Sequence, residues 1–303
     1  MAIWGVGYAG LGAGCALSGT PLVGTTAGPG WAVAAVGLAA VAVGAAVAVR
    51  GPVPALRKAL WVLCAAAGAG AFSLLMDVLA LLLGQSVDSG PAAAQHALAA
   101  LGAVLLAAVA RAGRPDAGGV RAVGPSAAPG TVQLAALAGS SAFVPYIAMK
   151  LFWASGGSFA GVDGADLHAA AERNGASGLW LALESWGLDA TALLAMLGVL
   201  LLQGLVRPWG QVFPRWILPL AGRPVPRWLP LVPALLGAGT LVPYGVLGLG
   251  WAALGTAGVV GVPRGDFPTP GDTLLVAWIG LGAFAVYGVA LAVAARWYWR
   301  RTA

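Results

Sequence analysis

Apolar runs of about 20 residues recur along this chain, each long enough to cross a hydrocarbon layer of ~30 Å as a helix. Lipid offers the backbone no hydrogen-bond partners, so long uniformly apolar runs are satisfied only as helices. Eight such runs are read, at roughly 2–19, 30–49, 59–83, 93–110, 132–153, 179–206, 229–254 and 273–295. The fold class that follows is all-α, a polytopic transmembrane helical bundle forming one integral membrane domain over residues 1–303. Composition points the same way: 60% of residues are hydrophobic, 9% are charged and the mean hydropathy is +0.88, whereas a soluble domain carries about 25% charged residues. The first run lacks a positive start and is diluted by Gly and Ser, which fits an uncleaved span better than a signal peptide.

Charge in the loops sets the orientation. Arg50, Arg57 and Lys58 follow the second run, Arg111, Arg114 and Arg121 the fourth, Arg207, Arg215, Arg223 and Arg227 the sixth, and Arg296, Arg300 and Arg301 the eighth. The intervening loops hold Asp88, Asp163, Asp166, Glu172 and Asp266 against only Arg173 and Arg264. Basic loops mark the cytoplasmic side, so both termini are read as cytoplasmic. The net charge of +6 is spread through these short loops, which argues for contact with membrane lipids and against nucleic acid. Cys15 and Cys64 lie inside apolar runs and suggest neither a disulfide framework nor a metal site.

The fifth run contains Phe143-Val-Pro-Tyr-Ile-Ala-Met-Lys-Leu-Phe-Trp153, and the seventh nearly repeats it as Leu241-Val-Pro-Tyr-Gly-Val-Leu-Gly-Leu-Gly-Trp251. Pro145 pairs with Pro243, Tyr146 with Tyr244 and Trp153 with Trp251; Leu137, Gly139 and Trp180 match Leu235, Gly237 and Trp278. Runs five and six therefore resemble runs seven and eight, a parallel repeat of helix hairpins. Pro145 and Pro243 fall mid-span, where each removes a backbone donor and predicts a kink. Gly30, Gly37 and Gly44 recur every seven residues in the second run and suit close helix packing.

Gly248 stands where the first copy has Lys150, and an ionisable group at membrane depth is costly enough to suggest a task. At ~1.5 Å per residue, Lys150 lies about 5 Å inside the outer end of its span, Glu184 about 8 Å, Asp77 about 9 Å and Asp189 about 15 Å. His96 opens the fourth run on the same side. Tyr146, Lys150 and Trp153 share one helical stripe, as do Trp180, Glu184 and Thr191, while Asp189 is expected to point elsewhere. An unpartnered carboxylate in lipid takes up a proton, so the economical arrangement pairs Lys150 with Glu184 or Asp77 and leaves Asp189 protonated or hydrogen-bonded. Trp180, Trp251 and Trp278 are candidates to line a pocket, and most other tryptophans read as interfacial belts.

Asp166, His168 and Glu172 in the outer loop 156–178 are metal-ligand types without ligand spacing, so no metal is expected; the loop reads as solvated, with a short amphipathic helix or lid at 165–174. Phe213-Pro-Arg-Trp216 and Val225-Pro-Arg-Trp228 read as anchors of two helix ends or as a surface-lying elbow. Motifs for phosphate loops, metalloproteases, diphosphate-binding aspartates and serine hydrolases are missing, and no cofactor is implied.

The segment Arg207-Pro-Trp-Gly, with the two Pro-Arg-Trp stretches, Ala221-Gly-Arg and the earlier Pro-Tyr…Lys-Leu-x-Trp, resembles multi-span actinobacterial membrane proteins that carry no assigned activity. An excess of arginine over lysine and abundant Ala and Gly fit that origin. The resemblance implies a bacterial plasma-membrane location and adds no catalytic residues. Two function classes follow from the residues. One is a transporter or ligand-binding protein for a small-molecule or lipid-like ligand, with Tyr146, Lys150, Trp180, Tyr244 and His96 as binding residues. The other is an intramembrane acid–base enzyme on an isoprenoid or lipid-like substrate, like membrane-bound terpene cyclases, with Asp77, Glu184 and Asp189 as acids.

Overall fold

Among the described residues, eleven α-helices stand against one short hairpin, so the all-α class is observed. The computed structural model describes residues 1–22, 28–51, 53–82, 87, 89–111, 125–173, 176, 178–213 and 221–302. Arg114, Arg121, Asp88, Arg215 and the first Pro-Arg-Trp stretch fall outside these. The chain folds as two compact units, Met1–Leu81 with Ser86–Ala117 and Gly118–Ala303 with Leu82–Gln85.

The first unit contains α1 (Ala2–Ser18), α2 (Gly28–Arg50), α3 (Pro54–Gly70), α4 (Leu74–Leu82) and α5 (Gly90–Arg111). Small residues bring α1 against α2: a Cβ at Gly12 would lie 2.6 Å from the Gly30 carbonyl, and one at Gly37 2.6 Å from the Gly5 carbonyl. Such spacing leaves room for nothing larger than glycine, which is the use of the seven-residue glycine period. Trp4 stacks on Tyr8 at 5.1 Å and donates from Nε1 to the Leu98 carbonyl on α5 at 2.7 Å.

The third run does not form one continuous span. It starts at Pro54, earlier than expected, and bends by 43° between α3 and α4. Gly68 and Gly70 weaken the helix here. Leu74 N–H turns to the Ala71 carbonyl, leaving the Gly70 carbonyl without its helical donor, and Gln95 Nε2 from α5 fills that place at 3.2 Å.

The second unit contains α6 (Gly130–Ala154), the hairpin β1 (Ser158–Phe159) and β2 (Val162–Asp163), α7 (Gly164–Arg173), α8 (Gly178–Ser185), α9 (Ala190–Val206), α10 (Trp228–Thr256) and α11 (Pro270–Thr302). Helix α11 is central and packs along α10, α6 and α9. Gly245 lies against the Ala285 backbone, and a Cβ at Gly288 would sit 2.9 Å from Val242 N, so α10 and α11 meet almost backbone to backbone. Helices α6 and α10 run on through Pro145 and Pro243 without ending there. Of residues 165–174, expected to form a short helix or lid, those up to Arg173 belong to α7, which packs against α6, and residue 174 lies outside the described residues. Val212 pairs with Pro224 where the loop before α10 closes, and Arg227 lies 5.8 Å from the Trp299 ring.

The sixth run is interrupted too. Helix α8 ends at Ser185 and α9 begins at Ala190, so Asp189 does not ride mid-helix as expected. Gly187 adopts φ of 73°, its N–H bonds the Glu184 carbonyl, and Leu188 N–H bonds the Leu183 carbonyl. That is a Schellman stop, and glycine fits because its φ lies in the left-handed region. Asp189 then caps α9, its Oδ1 accepting from Ala192 N at 2.8 Å.

Among the described residues, α2, α5, α6, α10 and α11 are each long and apolar enough to cross a membrane, and α3 with α4 would add one bent span. The protein is therefore a helical membrane protein. At 17 residues each, α1 and α9 are shorter apolar helices.

Candidate functional site

The interruption between α8 and α9 decides where the charges of the second unit meet. Lys150 Nζ on α6 lies 3.2 Å from Asp189 Oδ2. Asp189 is buried, and its Oδ1 accepts from both the Thr191 hydroxyl and Ala192 N. Tyr146, one turn before Lys150, donates from its hydroxyl to Thr191 Oγ1 at 3.1 Å. A chain of donors thus runs from Tyr146 through Thr191 to Asp189, with Lys150 closing the other oxygen. The expectation that Lys150 pairs with Glu184 or Asp77 is corrected. The stop at Gly187 and the cap at Asp189 turn this carboxylate toward α6, which a continuous helix does not do.

Glu184 has other partners. Trp180 Nε1, one turn earlier on α8, donates to Glu184 Oε1 at 2.6 Å, as the shared stripe suggested. His168 Nδ1 on α7 lies 2.5 Å from Glu184 Oε2, and its Nε2 lies 3.6 Å from Glu172 Oε1. Both imidazole nitrogens therefore face carboxylates. Asp166 takes no part; it lines a surface recess of about 250 Å³ with Arg173 and Asp266. Among the described residues, no three His, Cys, Asp or Glu side chains are arranged to hold a metal ion.

Aromatic rings pack around Tyr146, one turn from Lys150. Tyr146 and Tyr244 both pack on Phe284 of α11, with ring centres 5.3 and 5.7 Å away, and Phe143 lies 4.6 Å from Tyr287. Tyr287 in turn donates to the Gly198 carbonyl at 2.7 Å, pinning α11 to α9. Trp153 is buried and donates to the Phe159 and Val162 carbonyls at 3.3 and 3.2 Å, which ties the hairpin to the end of α6. Trp278 is exposed and donates to Thr256, so it lines no pocket with Trp180.

Asp77 and His96 belong to the first unit, where His96 Nδ1 lies 2.6 Å from Asp77 Oδ2. Beside them Gln95 Nε2 donates to the Tyr8 hydroxyl at 2.8 Å. These residues form a polar cluster of their own around the α3–α4 bend.

Reading the sequence for hydropathy missed three contributors: Gln95, Thr191 as a bridge, and His168 as the partner of Glu184. The signal for the break was present in Gly187-Leu-Asp189, a helix stop followed by a helix start. Compared with known proteins, the chain matches no family model, no curated protein and no solved structure.

Proposed function

We propose that this chain is an integral membrane carrier or ligand-binding protein whose site is the Lys150–Asp189 pair at the interrupted sixth span. One observation carries the reading: an ion pair with a buried carboxylate sits at a helix break inside an apolar segment. Broken spans expose helix termini whose partial charges bind solutes and ions, and ionisable groups at such depth are costly unless they serve a function. The acid–base enzyme reading requires a carboxylic acid facing a substrate, and Asp77 faces His96. Asp189 instead accepts from Lys150, Thr191 and Ala192, and Glu184 is engaged by Trp180 and His168.

The proposal includes eight crossings, with α1 as the first, α3 and α4 together as the third and α8 and α9 as the sixth. Both termini are cytoplasmic, in a bacterial plasma membrane. It also includes a repeat in which α10 copies α6. In its support, the helices begin at Gly130 and Trp228, the same spacing of 98 residues that separates Pro145 from Pro243. Gly139 and Gly237 both face α11, and Tyr146 and Tyr244 both meet Phe284.

The test is uptake by vesicles containing the purified protein, with a labelled panel of amino acids, sugars and short carboxylates, run beside a conversion assay on prenylated compounds. The expected result is accumulation of an unaltered solute, abolished in vesicles that carry matched amounts of folded Lys150→Met or Asp189→Asn protein. Retained uptake in both variants, or conversion of a prenylated compound without uptake, overturns the reading.

A further inference from the structure

Burial rises along a line of ionisable side chains that starts at the surface. Side-chain exposure falls from 56% at Glu172 to 38% at His168 and 14% at Glu184, and in the ion pair it is 24% at Lys150 and 6% at Asp189. Glu172 and Glu184 flank the two nitrogens of one imidazole, the arrangement in which a histidine accepts a proton on one side and releases another on the other. Trp180 Nε1 holds the second oxygen of Glu184, which fixes the carboxylate toward His168. Glu184 lies in the last turn of α8, and Asp189, five residues on across the Gly187 stop, caps α9.

We propose that Glu172, His168 and Glu184 form a proton route from the outer surface to the Lys150–Asp189 pair, and that Asp189 is where the proton lands. A proton taken by Glu172 from bulk water reaches His168 Nε2 while the Nδ1 proton passes to Glu184 Oε2; the ring is left in its other tautomer and resets by a flip. From Glu184 the proton crosses to Asp189 Oδ2 as the Lys150 stem swings aside. Adding a proton neutralises Asp189 and unpairs the Lys150 ammonium, so each proton bound changes the charge that the site offers a solute. A lone buried charge is costly, and the state with a free Lys150 cation therefore favours taking up an anion. This deepens the carrier reading by making the proton its coupling ion.

The charged groups that face His168 are Glu172 on α7 itself and Glu184 on α8. Asp166 and Arg173 lie on α7 as well, where they line the recess with Asp266.

The decisive experiment follows protonation rather than transport. The wild-type protein in lipid vesicles is given a rapid pH jump with a caged proton, and the carboxylic acid stretch is followed by time-resolved infrared spectroscopy. The expected result is a rising band that Asp189→Asn removes. His168→Gln, which keeps a hydrogen-bonding group toward Glu184, should slow its rise about a hundredfold, in line with losing a positioned proton-transfer group. Adding imidazole to His168→Ala, whose site is open to solvent, should restore the rate. A band absent from wild type, or an unchanged rate in both histidine variants, overturns the proposal. Solute uptake with no Asp189 band would keep the carrier and discard its proton, whereas an Asp189 band without uptake would keep the proton route and discard the carrier.

Discussion

The two interrupted helices of this molecule solve the same problem in opposite ways. Between α3 and α4 the break is held from outside: Gln95 takes the Gly70 carbonyl, and the next residue on α5, His96, takes Asp77 in the first turn of α4. Between α8 and α9 the break is closed by its own residues, with Gly187 ending one helix and Asp189 capping the other. Each break places a carboxylate just beyond the gap and a basic side chain from a neighbouring helix against it. Where the helices stay whole, as in α10 and α11, the matching stretch holds Gly248 packed against Leu281 in place of a lysine. Charge inside this protein therefore accompanies broken backbone, because the freed N–H and C=O groups need polar company that lipid does not supply.

Substitutions can break that comparison in a graded way. The largest effect is expected at the ion pair. Lys150→Met should cost about 3–5 kcal/mol because it leaves Asp189 buried without its cation, and adding Asp189→Asn should recover much of that. Unfolding in mixed micelles measures both, and a double variant as unstable as the sum of the singles would refute the pairing. Next comes the externally held break, where Gln95→Leu should cost about 1–3 kcal/mol by orphaning the Gly70 carbonyl. An unchanged unfolding midpoint there would mean that the bend does not depend on α5.

Two glycine positions sharpen the contrast at smaller scale. Gly187→Ala should destabilise by about 1–2 kcal/mol, since its left-handed φ is strained for any residue with a Cβ. Gly68 lies within α3, where an added Cβ would meet nothing within 4 Å, so Gly68→Ala should stabilise by about 0.5–1 kcal/mol. Opposite signs at the two sites would establish that one glycine forms its break while the other merely weakens a helix. Equal signs would remove the distinction.

Much of the helical layout was legible in the residues. The expected runs 2–19, 30–49, 132–153 and 229–254 lie within two residues of α1, α2, α6 and α10, because apolar length is a sum over many positions and survives local error. The run at 273–295 proved short, since α11 extends to Thr302 through the basic Arg296, Arg300 and Arg301, which a hydropathy criterion trims away. The interruptions at 71–73 and 186–189 escaped for the converse reason: a single Gly187-Leu-Asp189 step hardly alters the mean over twenty apolar neighbours. The candidate residues themselves were visible as charges in lipid-like surroundings, and Trp180 with Glu184 followed from spacing alone.

What the sequence by itself determined is the class of the protein, the register of most helices and which side chains are too polar for their surroundings. Which of those side chains meet was decided only by tertiary structure. Lys150 finds Asp189 because a turn between two half-helices redirects one carboxylate, and His168 finds Glu184 because α7 folds back onto α6 and α8. Hydropathy is a property of a segment and can be summed along a chain, whereas an ion pair is a property of two segments and exists only once packing has brought them within a few ångströms.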